Sequence, residues 1–375
     1  MSSWTRSTTV TIDCKALRHN FRQIVARLHP DQNILSVVKS NAYGHGGPQV
    51  ARILVEEGCS FLGVGTIDEG RALREAGVRV PILVLLGDIG GGYQELLHHQ
   101  LIPVIQDFDT FCKFENWLNQ NNKKSSFHLK VDTGMTRLGF LPDELLSKAS
   151  VLSRSSVLKI QGVMSHLIDA TDVERTGSQQ EAFDHCLQIL RKNGVQPQFI
   201  HLANSVATIE DRFSQYNMVR PGIVLYGVLP HPRLQEFVSL KPIMTWKTKV
   251  INVKEVPAGT VVSYNATFKT RRPSRIAVLP VGYADGYPRR LSNRAHVLIR
   301  GRKAPVVGIV CMDLTMVDVT EIGSVSIGDE VVLLGGQGSE TLLAEEMAQW
   351  ADTIPYEILT GVALRVPRIY QDEVH

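Results

Sequence analysis

The chain reads as an α/β protein: an N-terminal (β/α)8, TIM-like barrel followed by a C-terminal, mainly antiparallel β domain. Three observations predict this. Eight short apolar runs alternate with helical patterns through the first 230 residues, as βα units around a parallel sheet do. Beyond Pro230 the texture changes to alternating, β-branched runs broken by glycine, proline and asparagine turns. A length of 375 residues also exceeds what one modest core organises, which favours two domains.

The predicted barrel strands are ILSVVK at 34–39, FLGVGT at 61–66, PILVLL at 81–86, LIPVI at 101–105, FHLKVD at 127–132, IQGVMSH at 160–166, FIHLAN at 199–204 and the segment around VRPGIVLYG at 219–227. Eight parallel strands close a barrel. The helices between them carry punctuation. TIDEGRALREAG opens with Thr66 as an N-cap, has Glu69 at capping-box spacing and stops at Gly77. GDIGGGYQELLHHQ leaves room for only a short helix. The domain boundary falls near residue 235, giving a barrel over 10–235 and a β domain over 236–375. The opening WTRSTTVTID also alternates, so a strand within 1–9 can pair with the second domain instead of the barrel. In the second domain DEVVLLGG reads as a hairpin-like edge, and TLLAEEMAQWADT as one helix.

Composition narrows the function classes. Charged residues make up 21% and the formal net charge is +3, with no basic block or tail, so no nucleic-acid partner is expected. No run of eighteen apolar residues and no cleavable leader pattern is visible, so no membrane association is expected and the protein is read as cytoplasmic. The five cysteines (Cys14, Cys59, Cys112, Cys186, Cys311) are scattered, which suits reduced thiols and no metal site.

Chemistry collects at predicted strand ends, where barrel active sites lie. In VVKSNAYGHG, residues 37–46, an apolar strand delivers Lys39 into a turn. A half-desolvated amine has a lowered pKa and is a usable nucleophile toward an aldehyde. Lys130 and Asp132 close the fifth run, His166 the sixth, Asn204 and Ser205 the seventh, and Arg220 enters the eighth. Ser205 opens the helical stretch SVATIEDRF, whose free amides favour an anion, although Asn-Ser before a helix also serves as an ordinary cap. Gly222 lets backbone amides approach a ligand closely. A phosphorylated aldehyde cofactor needs a lysine, anion donors, a partner for its ring nitrogen and a surface against its ring face.

Together with HLANS, RPGIVLYG, HLKVDTGMTRLGF, VSYNATF, GYADGYPRRLSN, VCMDLTMVD and IPYEILT, the lysine segment resembles the motifs of alanine racemases, in family order from about residue 10 to residue 370. The resemblance implies pyridoxal 5'-phosphate held by Lys39 as an internal aldimine. It assigns the phosphate to Tyr43, Asn204, Ser205, Gly222, Ile223 and Tyr356, the ring face to His166, and the pyridine nitrogen to Arg220, which His201 orients. An arginine there keeps its own proton and leaves the ring nitrogen unprotonated, which weakens the electron sink and suppresses side reactions. Arg137 is implied to bind the substrate carboxylate. Lys130 is either carbamylated, holding Arg137, or an unmodified amine paired with Asp132. Tyr264 is implied to be the second base, acting across a subunit boundary. Met312 and Asp313 are then substrate-pocket residues lent to the partner, and Arg290 lies on the access path. The implied protein is a homodimer interconverting L-alanine and D-alanine, with Lys39 on the D face and Tyr264 on the L face, supplying D-alanine for peptidoglycan. A racemase for serine is the nearest alternative. Ser40, Asn265 and Ile309 stand where many members have alanine, glycine and arginine.

Overall fold

The computed structural model describes residues 6–87 and 90–372. Residues 1–5 of the expected opening strand lie outside the described residues, and the first strand observed is β1 (Thr9–Asp13). Eight parallel strands follow: β2 (Asn33–Val37), β3 (Phe61–Val64), β4 (Ile82–Val84), β5 (Leu101–Ile105), β6 (Ser125–Lys130), β7 (Leu158–Met164), β8 (Phe199–His201) and β9 (Met218–Val219). They form one sheet in the order β8-β7-β6-β5-β4-β3-β2-β9, a nearly closed barrel as the sequence predicted. Every residue of β3 and β4 is buried, because both faces of a barrel strand are covered.

The eighth strand is far shorter than its apolar run. Only Met218 and Val219 pair with β2. Pro221 has no amide to donate, and Ile223–Tyr226 winds into a 3-10 turn. The segment still lies against β2, since Val37 N donates to Pro221 O at 3.0 Å. Helices outside the barrel start where aspartates accept first-turn amides: Asp13 from Ala16 N at 2.8 Å, Asp107 from Thr110 N at 2.7 Å and Asp172 from Arg175 N at 3.0 Å. The short helix foreseen between β4 and β5 is Tyr93–His98.

The remaining strands are β10 (Met244–Lys249), β11 (Asn252–Val256), β12 (Val261–Val262), β13 (Phe268–Lys269), β14 (Ser274–Leu279), β15 (His296–Ile299), β16 (Arg302–Pro305), β17 (Thr315–Asp318), β18 (Glu330–Gln337), β19 (Glu340–Leu342) and β20 (Arg368–Gln371). The largest sheet runs β16-β15-β18-β10-β1-β20, with β19 on β18. Its ladders are antiparallel except that β1 pairs with β20 in parallel. With Thr9 opposite Lys247 and Val10 opposite Arg368, the two ends of the chain meet in one sheet. β18 is not the edge that its turn-flanked sequence suggests. It lies between β15 and β10, and residues 331–335 are buried in succession, which requires cover on both faces. One hydrophobic cluster joins the two parts, from Leu35 and Val37 in the barrel through Ile12 to Trp246 and Leu333. No helix among the described residues is long and apolar enough to cross a membrane.

Candidate active site

A cavity of about 720 Å³ opens at the carboxyl ends of the barrel strands, within the range of small-ligand sites. Lys39, Tyr43, Lys130, Arg137, His166, Asn204, Ser205, Arg220, Gly222, Ile223 and Tyr356 all line it. Leu85, Met135, Leu138, Met164 and Ile354 are among the residues of its apolar wall, too ordinary in type for sequence reasoning to single out.

Lys39 leaves the end of β2 and is followed by four residues in the left-handed region: Ser40 (φ 54), Asn41 (φ 55), Ala42 (φ 52) and Tyr43 (φ 52). None is glycine, and each such conformation costs roughly 1–2 kcal/mol. Side-chain anchors hold the turn. Asn41 Oδ1 accepts from Gly47 N at 2.8 Å, and the Glu69 carboxylate accepts from Ser40 N at 2.6 Å. Thr66 does cap its helix, accepting from Glu69 N at 3.3 Å, but the Glu69 side chain reaches Gly65 N rather than closing the expected box onto Thr66 N. Burial lowers the Lys39 pKa first and the Arg137 charge lowers it further, with Glu69 opposing them.

The turn sends Tyr43 toward the β8 and β9 ends. Ser205 starts a short helix, Ser205–Ile209, and its Oγ accepts from Gly222 N at 2.9 Å. A Cβ on Gly222 would lie 2.6 Å from the Tyr43 hydroxyl, so no side chain fits between them. Asn204 caps the helix, with Oδ1 accepting from Val206 N and Ala207 N at 3.1 and 3.2 Å. Tyr43 and Tyr356 rings lie 6.0 Å apart, and burial raises the pKa of both phenols. This end of the cavity is therefore lined with neutral donors and backbone amides at two helical starts, a set suited to an anion.

Arg220 is buried and also lines the cavity. Nη1 donates to His201 O at 2.7 Å and to His201 Nδ1 at 3.2 Å, while Nη2 donates to Ser165 O at 2.5 Å. Because an arginine can only donate, His201 Nδ1 accepts, and His201 Nε2 donates to His128 Nδ1 at 2.8 Å. Burial lowers the Arg220 pKa to about 10, leaving it charged at neutral pH. His128 and His166 are pushed down to about 3 by burial, then by Arg220, so both are neutral. His128 went unnoticed in the sequence, although His128, Lys130 and Asp132 repeat at the two-residue spacing of one strand face.

Lys130 and Asp132 do not form an ion pair among the described residues. The Asp132 carboxylate accepts from the amides of Gly134, Thr136 and Arg137 at 2.8, 3.0 and 2.9 Å. Lys130 is pulled down to about 8 by burial and then by the charges of Arg137, Arg220 and Lys39.

Tyr264, Met312 and Asp313 do not join this group. None lines the cavity; Tyr264 is 67% and Met312 54% exposed. Asp313 pairs with Arg365 at 2.6 Å, and Arg290 with Asp352 at 3.2 Å. Tyr264 follows Ser263 (φ 67), whose Oγ donates to Ile309 O at 2.6 Å.

Comparison with known proteins agrees across the whole chain. Residues 12–230 match the model for the alanine racemase N-terminal domain, and residues 243–370 the model for the C-terminal domain. The alanine racemase of Halothermothrix orenii is 45% identical over 372 residues, covering 99% of this chain and 98% of that one. The crystal structure of alanine racemase from D-cycloserine-producing Streptomyces lavendulae superposes with a TM-score of 0.94 at 34% identity, covering 99% of both chains. That of Bartonella henselae alanine racemase, with covalently bound pyridoxal phosphate, superposes with a TM-score of 0.87 at 32% identity, covering 97% of this chain and 99% of that one. A barrel with this cavity, a β domain in this order and matches over both halves of the sequence lead to one conclusion: the chain belongs to the alanine racemase family of amino-acid racemases.

Proposed function

We propose that the protein interconverts L-alanine and D-alanine with pyridoxal 5'-phosphate, using two bases contributed by different subunits of a homodimer. The observation that carries this reading is the convergence in one cavity of an amine with a lowered pKa, a charged buried arginine and a neutral anion-binding end. The residues present fit the cofactor. Among the described residues Arg220 Nε has no protein acceptor, although both Nη atoms are engaged, so one donor is left for a ring nitrogen. The absence of a side chain at Gly222 keeps the space beside Tyr43 and Ser205 open to a phosphate.

When bound, the cofactor supplies a conjugated ring that withdraws electrons from the substrate α-carbon and so acidifies its proton. The chain's own residues do the rest. Lys39 would hold the cofactor, and its free amine would exchange the substrate α-proton on the D face. The partner subunit's Tyr264 does so on the L face, and two bases on opposite faces invert the centre without either moving round it. Arg137, whose guanidinium has no ion-pair partner among the described residues, binds the substrate carboxylate. Exposure of Tyr264 and Met312 away from the cavity of their own chain supports a shared site, with Met312 and Asp313 lent alongside. Five unpaired cysteines support a reducing, cytoplasmic setting, where the product D-alanine feeds peptidoglycan synthesis. Incubation with L-alanine in heavy water is expected to give both enantiomers with deuterium at the α-carbon, and L-serine to give much less; α-deuteration of neither amino acid ends this reading.

Lys130 is proposed to be carbamylated. With a pKa of about 8 and no ion-paired carboxylate among the described residues, although the Asp132 charge opposes the shift, its amine is partly neutral at physiological pH and able to add to carbon dioxide. The N–C bond forms, the amine proton passes to water, and a negative charge is left among Arg137, Arg220 and Lys39. Since only the neutral amine reacts, uptake rises as pH climbs through about 8. Native mass spectrometry in bicarbonate should find one added carbon dioxide per subunit, lost in acid and missing in Lys130→Met. No gain at any pH rules the modification out.

A further inference from the structure

The left-handed turn after Lys39 has an anchor outside its own segment. Glu69 sits in the first turn of the helix Ile67–Glu75, after β3. Its Oε1 accepts from Ser40 N at 2.6 Å and from Asn41 N at 3.3 Å, and its Oε2 accepts from Gly65 N at 2.6 Å. One carboxylate thus ties the end of β2 to the end of β3, directly behind Lys39. All three partners are N–H donors, so the group between them must be acceptor-only, which a carboxylate is and an amide is not. An ordinary acidic residue at a helix start would turn its side chain to its own N-cap amide. Here that amide is left and the neighbouring strand is taken.

We propose that Glu69 is a positioning residue for racemisation: its carboxylate fixes the strained turn that aims Lys39 into the cavity. The proposal rests on Lys39 being the cofactor lysine. The charge of Glu69 acts in the same direction as its geometry. Lys39 faces the positive charges of Arg137 and Lys130 and the neutral His166, and Glu69 is the negative group opposing them.

Three variants of the cofactor-loaded enzyme separate the possibilities. Glu69→Gln keeps the volume but turns an amide N–H toward a backbone N–H. Glu69→Asp keeps the charge but is too short to bridge both strands. Lys39→Ala is the control for the reading beneath: borohydride must label Lys39 in the unaltered protein, and a label elsewhere removes that reading without touching the Glu69 contacts. Displacing a reacting group by about 1 Å costs on the order of a hundredfold, so kcat should fall roughly ten- to a hundredfold in Glu69→Gln and Glu69→Asp. KM for alanine should change less than about twofold, because ground-state binding is untouched. Reloading of apoprotein with pyridoxal phosphate, followed by its visible absorption, should slow by a similar factor. In the D-to-L direction the limb of the pH–rate profile set by Lys39 should move to lower pH in Glu69→Gln and stay put in Glu69→Asp. Wild-type kcat, reloading rate and pH profile in Glu69→Gln overturn the proposal, as does a lowered melting temperature with unchanged kcat per loaded site. If Glu69→Gln does not fold, hydrogen exchange in the unaltered protein decides. Ser40 is exposed and its amide and that of Asn41 are the two in the turn that donate to Glu69, so slow exchange at these two amides supports the anchor and rapid exchange there overturns it.

Discussion

Lys39→Ala is expected to remove the visible absorption of the protein and at least about a thousandfold of its racemase activity, since a positioned proton-transfer group alone contributes 10²–10⁴-fold and the covalent hold on the cofactor is lost with it. Borohydride should fix the pyridoxyl group on Lys39 of the unaltered protein and on nothing in the variant. The expectation follows from the surroundings of the amine. Burial and Arg137 lower its pKa, which raises the share of the neutral, nucleophilic form. The other cavity lysine, Lys130, is also depressed, yet it lies on β6 with Arg220 and Arg137 about it rather than on the turn that carries Tyr43 to the anion-binding end. A label on Lys130, or full activity in Lys39→Ala, would transfer the cofactor role away from Lys39.

Mixing Lys39→Ala subunits with Tyr264→Phe subunits should restore activity that neither variant has. If the partner subunit's Tyr264 completes each cavity, a heterodimer has one site lacking both residues and one site lacking neither. Random exchange of an equal mixture makes half the dimers mixed, so about a quarter of wild-type activity should return. If each cavity used Tyr264 of its own chain, every site in every dimer would lack one base and nothing would return. The exposed position of Tyr264, outside the lining of the cavity in its own chain, favours the first outcome. Mixing that restores nothing, after mass measurement has verified subunit exchange, would falsify the shared site.

Particular elements differ in how far the sequence disclosed them. The strand-end positions of Lys39, Lys130, His166, Asn204 and Ser205 were legible because barrel strands appear as short apolar runs, and a polar residue ending such a run faces the open end of the barrel, whereas Arg220, read as entering the eighth run, lies just past the end of the two-residue β9. The helix at Ser205 and its Asn204 cap were legible for a local reason: a cap and the amides it serves lie within three residues of each other. The eighth strand was overestimated, since apolar content says that VRPGIVLYG is buried but not whether its backbone pairs, and Pro221 and Gly222 end the ladder early. For β18 the flanking turns suggested an edge, whereas the chain packs strands on both sides of it.

What the sequence by itself determined is the set of elements, their order and the residue types at the strand ends, because these follow from burial periodicity and turn chemistry within a dozen residues. The pairings that make the site work were decided only by the tertiary structure. Glu69 looks like a capping-box residue until the Ser40 amide, 29 residues away at the end of β2, is brought beside it. The same holds for the hydrogen-bonded line from Arg220 through His201 to His128, which spans 92 residues of chain. A hydrogen bond reaches about 3 Å, while the residues it joins are placed by the closure of the whole barrel. Local propensity carries no information at that distance, so such contacts exist only once the sheet has closed.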